Sequence, residues 1–92
     1  MIVNLYAVLD KVSGVYDGPI PGKGDGMMIR QFGDQVQKEG TQLNLHPEDF
    51  VLMRLGTWND ATGEVVGYVE GPEKIASGVD FLGAQLKEVG NA

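Results

Sequence analysis

Two long runs of β-forming residues constrain this chain more than anything else in it. IVNLYAVL (2–9) is rich in β-formers and apolar on both faces, the pattern of a central strand, and FVLMRLGTW (50–58) reads as a second long strand. After the second run, NDATG (59–63) reads as a turn, with Gly63 free to take positive φ. EVVGYVE (64–70) then returns as an antiparallel partner until Gly71-Pro72 ends it. A turn over Asp10–Gly14 brings back a short strand at Val15-Tyr16. The Gly/Pro-rich DGPIPGKGDG (17–26) reads as a flexible loop.

Between the two strand regions the period changes to that of a helix. Met28, Phe32 and Val36 recur every four residues and Ile29 widens the stripe, which predicts a helix over 26–39. Asp25 is its expected N-cap and Gly40 its C′ stop. Ile75, Val79, Leu82 and Leu86 predict a second helix over 73–89, against which Gly78 and Gly83 count. A strand over 75–81 is the competing assignment. The order β(β)αββα is an α+β domain: a small, mostly antiparallel sheet of three to four strands with two helices, ending in a tail at 89–92.

With 92 residues the chain forms a single domain, 1–92. A domain this small has modest stability unless something supplements its core. There is no cysteine, so neither disulfides nor thiolate metal ligands contribute. The expected supplement is a homo-oligomer, most simply a dimer through a sheet face or edge. No apolar run reaches the ~20 residues of a membrane span. The opening MIVNLYAVLDK lacks the features of a secretion signal, so the expectation is an intracellular protein with no membrane partner.

The net charge of −6 is unevenly spread. Residues 1–45 hold four Lys and Arg against five acids, and residues 46–92 three against eight. An acidic second half repels nucleic acid. Any DNA contact therefore falls to Lys11, Lys23, Arg30 and Lys38 in the first half. GKGDG (22–26) resembles a phosphate loop only superficially: its spacing fails the Walker pattern and Asp25 competes for the amides. Tyr6, Tyr16, Trp58 and Tyr68 could stack on bases, yet without interleaved arginines they read better as packing residues.

HPEDF (46–50) contains the only histidine. His46, Glu48 and Asp49 invite a metal or acid–base reading, but no second His and no Cys completes a ligand set. No serine has the context of a nucleophile. The plainer reading is a rigid turn: Pro47 opens one helical turn, His46 or Asp49 caps local amides, and Phe50 enters the core. No catalytic residue, cofactor or metal is assigned.

IRQFGDQV (29–36), HPEDFVLMRLGTWNDATGEV (46–65) and IASGVDFL (75–82) together resemble the small non-structural protein of gokushoviruses, single-stranded-DNA phages of the Microviridae. The matching positions are Asp34, His46, Pro47, Glu48, Asp49, Leu55, Gly56, Asp60, Thr62, Gly63, Asp80 and Phe81. Asn59, where the family usually has an acid, and the PIPGKGDG segment depart from the pattern. The resemblance implies a protein of the bacterial host cytoplasm, absent from the mature virion and often labelled DNA-binding. It implies a role in regulating single-stranded DNA replication or packaging, with single-stranded DNA and phage replication or procapsid proteins as partners. The alternative is a pure protein-interaction module that meets the replication initiator, the procapsid or a host factor, including as a host-defence inhibitor.

Overall fold

The computed structural model describes residues 1–82. It is an α+β fold built on one antiparallel sheet: β1 (Ile2–Asp10), β2 (Val15–Gly22), α1 (Asp25–Gln37), α2 (Gln42–Leu45), a single 3-10 turn (Pro47–Asp49), β3 (Phe50–Asn59), β4 (Val65–Gly67) and β5 (Glu73–Ser77). The strand order is β2-β1-β3-β4, with β5 also on β3. β1 is an inner strand, as its composition predicts, and β3 is the other, the two paired from Ile2↔Asn59 to Asp10↔Phe50.

β3 is ten residues long and explains two departures from the expected elements. β4, expected over 64–70, covers only Gly56–Trp58. The backbone groups of Val51–Arg54 on the same edge therefore need another partner. They find it in β5, which pairs Val51↔Ser77 through Arg54↔Glu73. Residues 73–77 are thus a strand and not the first turns of a helix. Helical residues begin only at 80–82, while 83–89 of the expected helix and the tail 89–92 lie outside the described residues.

The other correction concerns 17–26. Most of this segment is not a loop, because β2 continues to Gly22 along the free edge of β1. Pro19 and Pro21 cannot donate to a ladder, which confines them to an edge strand, and β2 is one. The Gly18–Pro19 peptide is cis.

α1 packs on one face of the sheet as its stripe predicts. Met28, Phe32 and Val36 are buried with Tyr6, Leu52 and Ala76, and Ile29 packs against them. Gly24, not Asp25, is the N-cap, and the helix ends at Gln37 with Gly40 at φ 89° beyond it. Its last carbonyls are met by side chains from the following segment, 41–45. Thr41 Oγ1 lies 2.8 Å from the Gln35 carbonyl, and Asn44 Nδ2 donates to that of Val36 at 2.9 Å. Thr41 also caps α2 by accepting from the Asn44 amide.

Candidate functional site

The HPED turn stands at one end of the sheet. Pro47 is buried at the first position of the 3-10 turn, and the Asp49 amide donates to the His46 carbonyl at 3.0 Å. The expected side-chain cap does not form: His46 caps nothing, and Asp49 instead engages Lys11 through its backbone carbonyl, which accepts from the Lys11 amide at 2.8 Å. The reason is geometric, since three residues of 3-10 turn close through their own backbone. His46 and Glu48 are exposed and Asp49 half-buried, with their ligand atoms all within 4.8 Å of one another. Three donors on an open turn can meet a cation loosely; a closed structural site takes four. Pro47 has a second contact, the close-packed backbone of Gly78.

The four cations of the first half are all exposed but do not converge. Lys11 lies in the β1–β2 turn beside Asp49. Lys23 precedes α1, Arg30 sits midway on its outer side, and Lys38 is its C-cap. The helical part of this row spans about 20 Å at 1.5 Å per residue. Asp34 shares the outer face with Arg30, one turn away, and lowers its potential. None of the four cations forms an ion pair among the described residues.

The aromatic candidates divide. Tyr6 is fully buried, Trp58 is half-buried between Val3 and Val65 in the strand register, and Tyr68 lies under a guanidinium; only Tyr16 presents substantial surface. Buried or engaged rings offer no stacking platform.

The remaining motif positions build turns and packing. At 59–63 the Asn59 side-chain oxygen accepts from the amides of Ala61 (2.9 Å) and Thr62 (3.3 Å). A carboxylate oxygen would do the same, so an acid at this position would keep the turn that Asn59 makes. Gly63 takes φ 80°, which the turn requires of a glycine, and Thr62 Oγ1 accepts from the Glu64 amide. Asp60 accepts from the Met1 amine at 2.7 Å. Gly56 pairs with Leu5 on one side and Gly67 on the other. The Asp80 carboxylate accepts from the Ser77 amide, and the Phe81 ring meets that of Phe32 edge-on at 5.9 Å. Leu55 is half-buried and Asp34 exposed.

The densest polar constellation was not singled out from the sequence. Arg54, the one charge in the run FVLMRLGTW, donates to both Asp25 on α1 and Glu73 on β5, the latter at 2.5 Å. Its guanidinium lies 5.7 Å from the centre of the Tyr68 ring. Tyr6 Oη donates to Asp25 at 2.5 Å and accepts from Asn4 Nδ2 at 3.3 Å. The hydrogen bonds from Tyr6 and Arg54 hold the Asp25 carboxyl below its ordinary range, and burial together with Asp25 pushes the Tyr6 phenol up. Arg54 is raised further by the same contacts, so it stays charged throughout. The only signal available in the sequence was a lone arginine in an apolar strand. The cluster ties the first turn of α1 to three strands, a structural clamp in which one guanidinium serves two carboxylates while its buried Nε has no partner.

Its pH dependence follows from the direction of these shifts. Asp25, lowered on folding, contributes stability that is present above its unfolded pKa and lost as pH falls through the folded one. Tyr6, raised on folding, contributes stability that is present below pH 10 and lost as pH rises through its higher folded value. Urea midpoints measured across pH should fall at both extremes, and Asp25→Asn should flatten the acid limb.

No curated protein and no solved structure matches this chain. A family model described as "Phage ORF5 protein" matches residues 3–81, from the second residue of β1 to Phe81, and so takes in the HPED turn, the 59–63 turn and the Arg54 clamp alike. The chain belongs to the Phage ORF5 protein family.

Proposed function

We propose that this phage protein is a non-structural regulator or adaptor of single-stranded DNA replication or packaging that contacts DNA weakly. The observation behind the DNA part is that Lys11, Lys23, Arg30 and Lys38 are exposed with no ion-pair partner among the described residues, whereas Arg54 is committed to two carboxylates. The gokushovirus resemblance supplies the single-stranded genome, the host cytoplasm as workplace and absence from the mature virion. A non-enzymatic role fits the HPED turn, whose imidazole and carboxylates have no nucleophile beside them in sequence.

Four scattered cations against a net −6 predict weak, salt-sensitive binding, with single strands preferred for their lower charge density. Gel shift of a single-stranded oligonucleotide at low salt should show a complex. Lys23→Gln with Arg30→Gln should make the plot of log K against log salt shallower by about 1.4 for two lost contacts. No shift, or a shift that this double variant leaves unchanged, removes DNA from the proposal.

A second reading, a protein-interaction module, draws on the far end of the sheet. There Ile2 on β1, Val65 and Val66 on β4, and Val69 just beyond are all more than half exposed. Apolar surface of this kind commonly marks an interface, with a phage protein or with a second copy in a dimer. Recovery from infected cells of a partner that survives nuclease treatment supports this reading, and its absence counts against it.

A further inference from the structure

α1 does not cover the sheet. Its buried side chains meet Tyr6, Leu52 and Ala76, on β1, β3 and β5. Among the described residues the same face of β2 is left open. By register Ile20 lies beside Tyr6, Asp17 beside Val8 and Val15 beside Asp10, so Ile20, Asp17 and Val15 share the helix side. Ile20 is 48% and Val15 64% exposed, unusual for apolar residues on a core-facing side. With strands about 4.8 Å apart, a four-strand sheet is about 19 Å wide. A helix with its side chains is about 10 Å across. There is room for two helices side by side, and among the described residues one long helix is present.

The vacant lane has a floor and an end of different chemistry. Between β2 and α1 lies a hollow of about 140 Å³ bounded by Tyr6, Val8, Ile20, Met28, Phe32 and Leu52. An apolar hole of this size accepts a benzene-sized group. Its rim on α1 is Gln31 and Gln35, polar but uncharged. The lane continues toward the β1–β2 turn, where the charged residues lining it, among the described residues, are Asp10 and Asp17. Among the described residues neither stretch is lined by a cation.

The geometry points to a docking lane for one amphipathic helix of a partner protein, which seats a Phe or Leu in the hollow and sets a Lys or Arg two turns away against Asp17 and Asp10. The spacing comes from the strands. Asp17 is two β1 positions from Tyr6, about 7 Å, and Asp10 four, about 13 Å. Two helical turns, i to i+7, span about 10.5 Å and fall between them. A basic partner is also the one that the chain's net −6 attracts over distance. This inference stands apart from the DNA reading and rests on the protein-interaction reading, to which it adds a second surface, distinct from the Ile2–Val69 end, and a partner chemistry.

The test titrates the full chain, observed by methyl NMR, with a helical peptide about 14 residues long that carries Phe with Lys two turns on, and with a twin bearing Glu in place of that Lys. The basic peptide should shift Val8, Ile20, Met28 and Leu52 and bind at least about tenfold more tightly than its twin. Asp17→Lys, an exposed change, should reverse that preference. Ile20→Glu should abolish binding while the circular dichroism spectrum is retained. The inference is overturned if neither peptide binds, if the twins bind equally, if the shifts map elsewhere, or if the same methyls shift with protein concentration alone, which would make the occupant a second copy. A nuclease-resistant partner recovered equally well by Asp17→Lys would sink the lane but leave the protein-interaction reading standing.

Discussion

Tyr6→Ala should cost about 3–5 kcal/mol of folding stability, the range for removing a buried aromatic ring. Tyr6 has no exposed surface, and its ring is the centre against which Met28, Phe32 and Val36 of α1 close. The hydroxyl adds a second effect, since it donates to Asp25 and so joins α1's first turn to the sheet. Tyr6→Phe separates the two: it keeps the ring, removes the hydrogen bond and should cost only about 1 kcal/mol. Asp25 is part-exposed, so water takes up the lost bond and the penalty stays small. A domain of this size has about 5–14 kcal/mol in total, so the alanine variant loses from about a fifth of it to nearly all. Thermal unfolding by circular dichroism should show a fall in Tm of roughly 15–30 °C for Tyr6→Ala and about 4–8 °C for Tyr6→Phe. Equal falls would mean that the hydroxyl network, not the ring, organises the α1–sheet contact.

What could be read from the sequence was what depends on neighbours along the chain. Met28, Phe32 and Val36 declare a helix face because their spacing is enough to do so, and Pro47 declares a one-turn helix because its φ is fixed. The Asn59–Gly63 turn is local in the same sense. Residues 73–82 failed because Ile75, Val79 and Leu82 fit a helical period while Ile75 and Ala76 are equally acceptable in a short strand. The decision was made by the free edge of β3, 19 to 26 residues away, which no local pattern reports. The Pro-rich segment at 17–22 was misread for the same cause, because prolines that look like a loop are also tolerated on an edge strand. At the candidate sites, the positions of Lys11, Lys23, Arg30 and Lys38 on the surface were readable, but their separation was not. Arg54 was visible as an oddity in an apolar run, yet which of thirteen acids it would meet depends on the fold, since Asp25 lies 29 residues back and Glu73 19 ahead.

The HPED turn around His46 acquires its clearest physical role through Gly78, and that role predicts a large effect from a single methyl group. A Cβ at Gly78 would sit inside van der Waals contact with the Pro47 carbonyl oxygen, 2.9 Å from its carbonyl carbon and 3.0 Å from its Cα. These are backbone atoms of a buried proline in a rigid turn, and they cannot swing aside as a long side chain would. The Gly78 amide also donates to the Phe50 carbonyl at 3.0 Å, so retreat in the other direction breaks the link where β5 ends against the start of β3. Gly78→Ala must therefore part the 46–49 turn from the β5 terminus or strain both, and should cost about 2–4 kcal/mol. Gly67→Ala is the matched control: it is also in the sheet, but a Cβ there meets nothing within 4 Å, and its φ is not in the left-handed region. It should stay within about 0.5 kcal/mol of the parent. Urea unfolding of the two variants side by side measures the difference, with hydrogen exchange at the Gly78 and Asp49 amides showing where the structure opens. If Gly78→Ala is as benign as Gly67→Ala, the HPED turn is not braced by β5, and its architectural role would have to come from Phe50 and Lys11 alone.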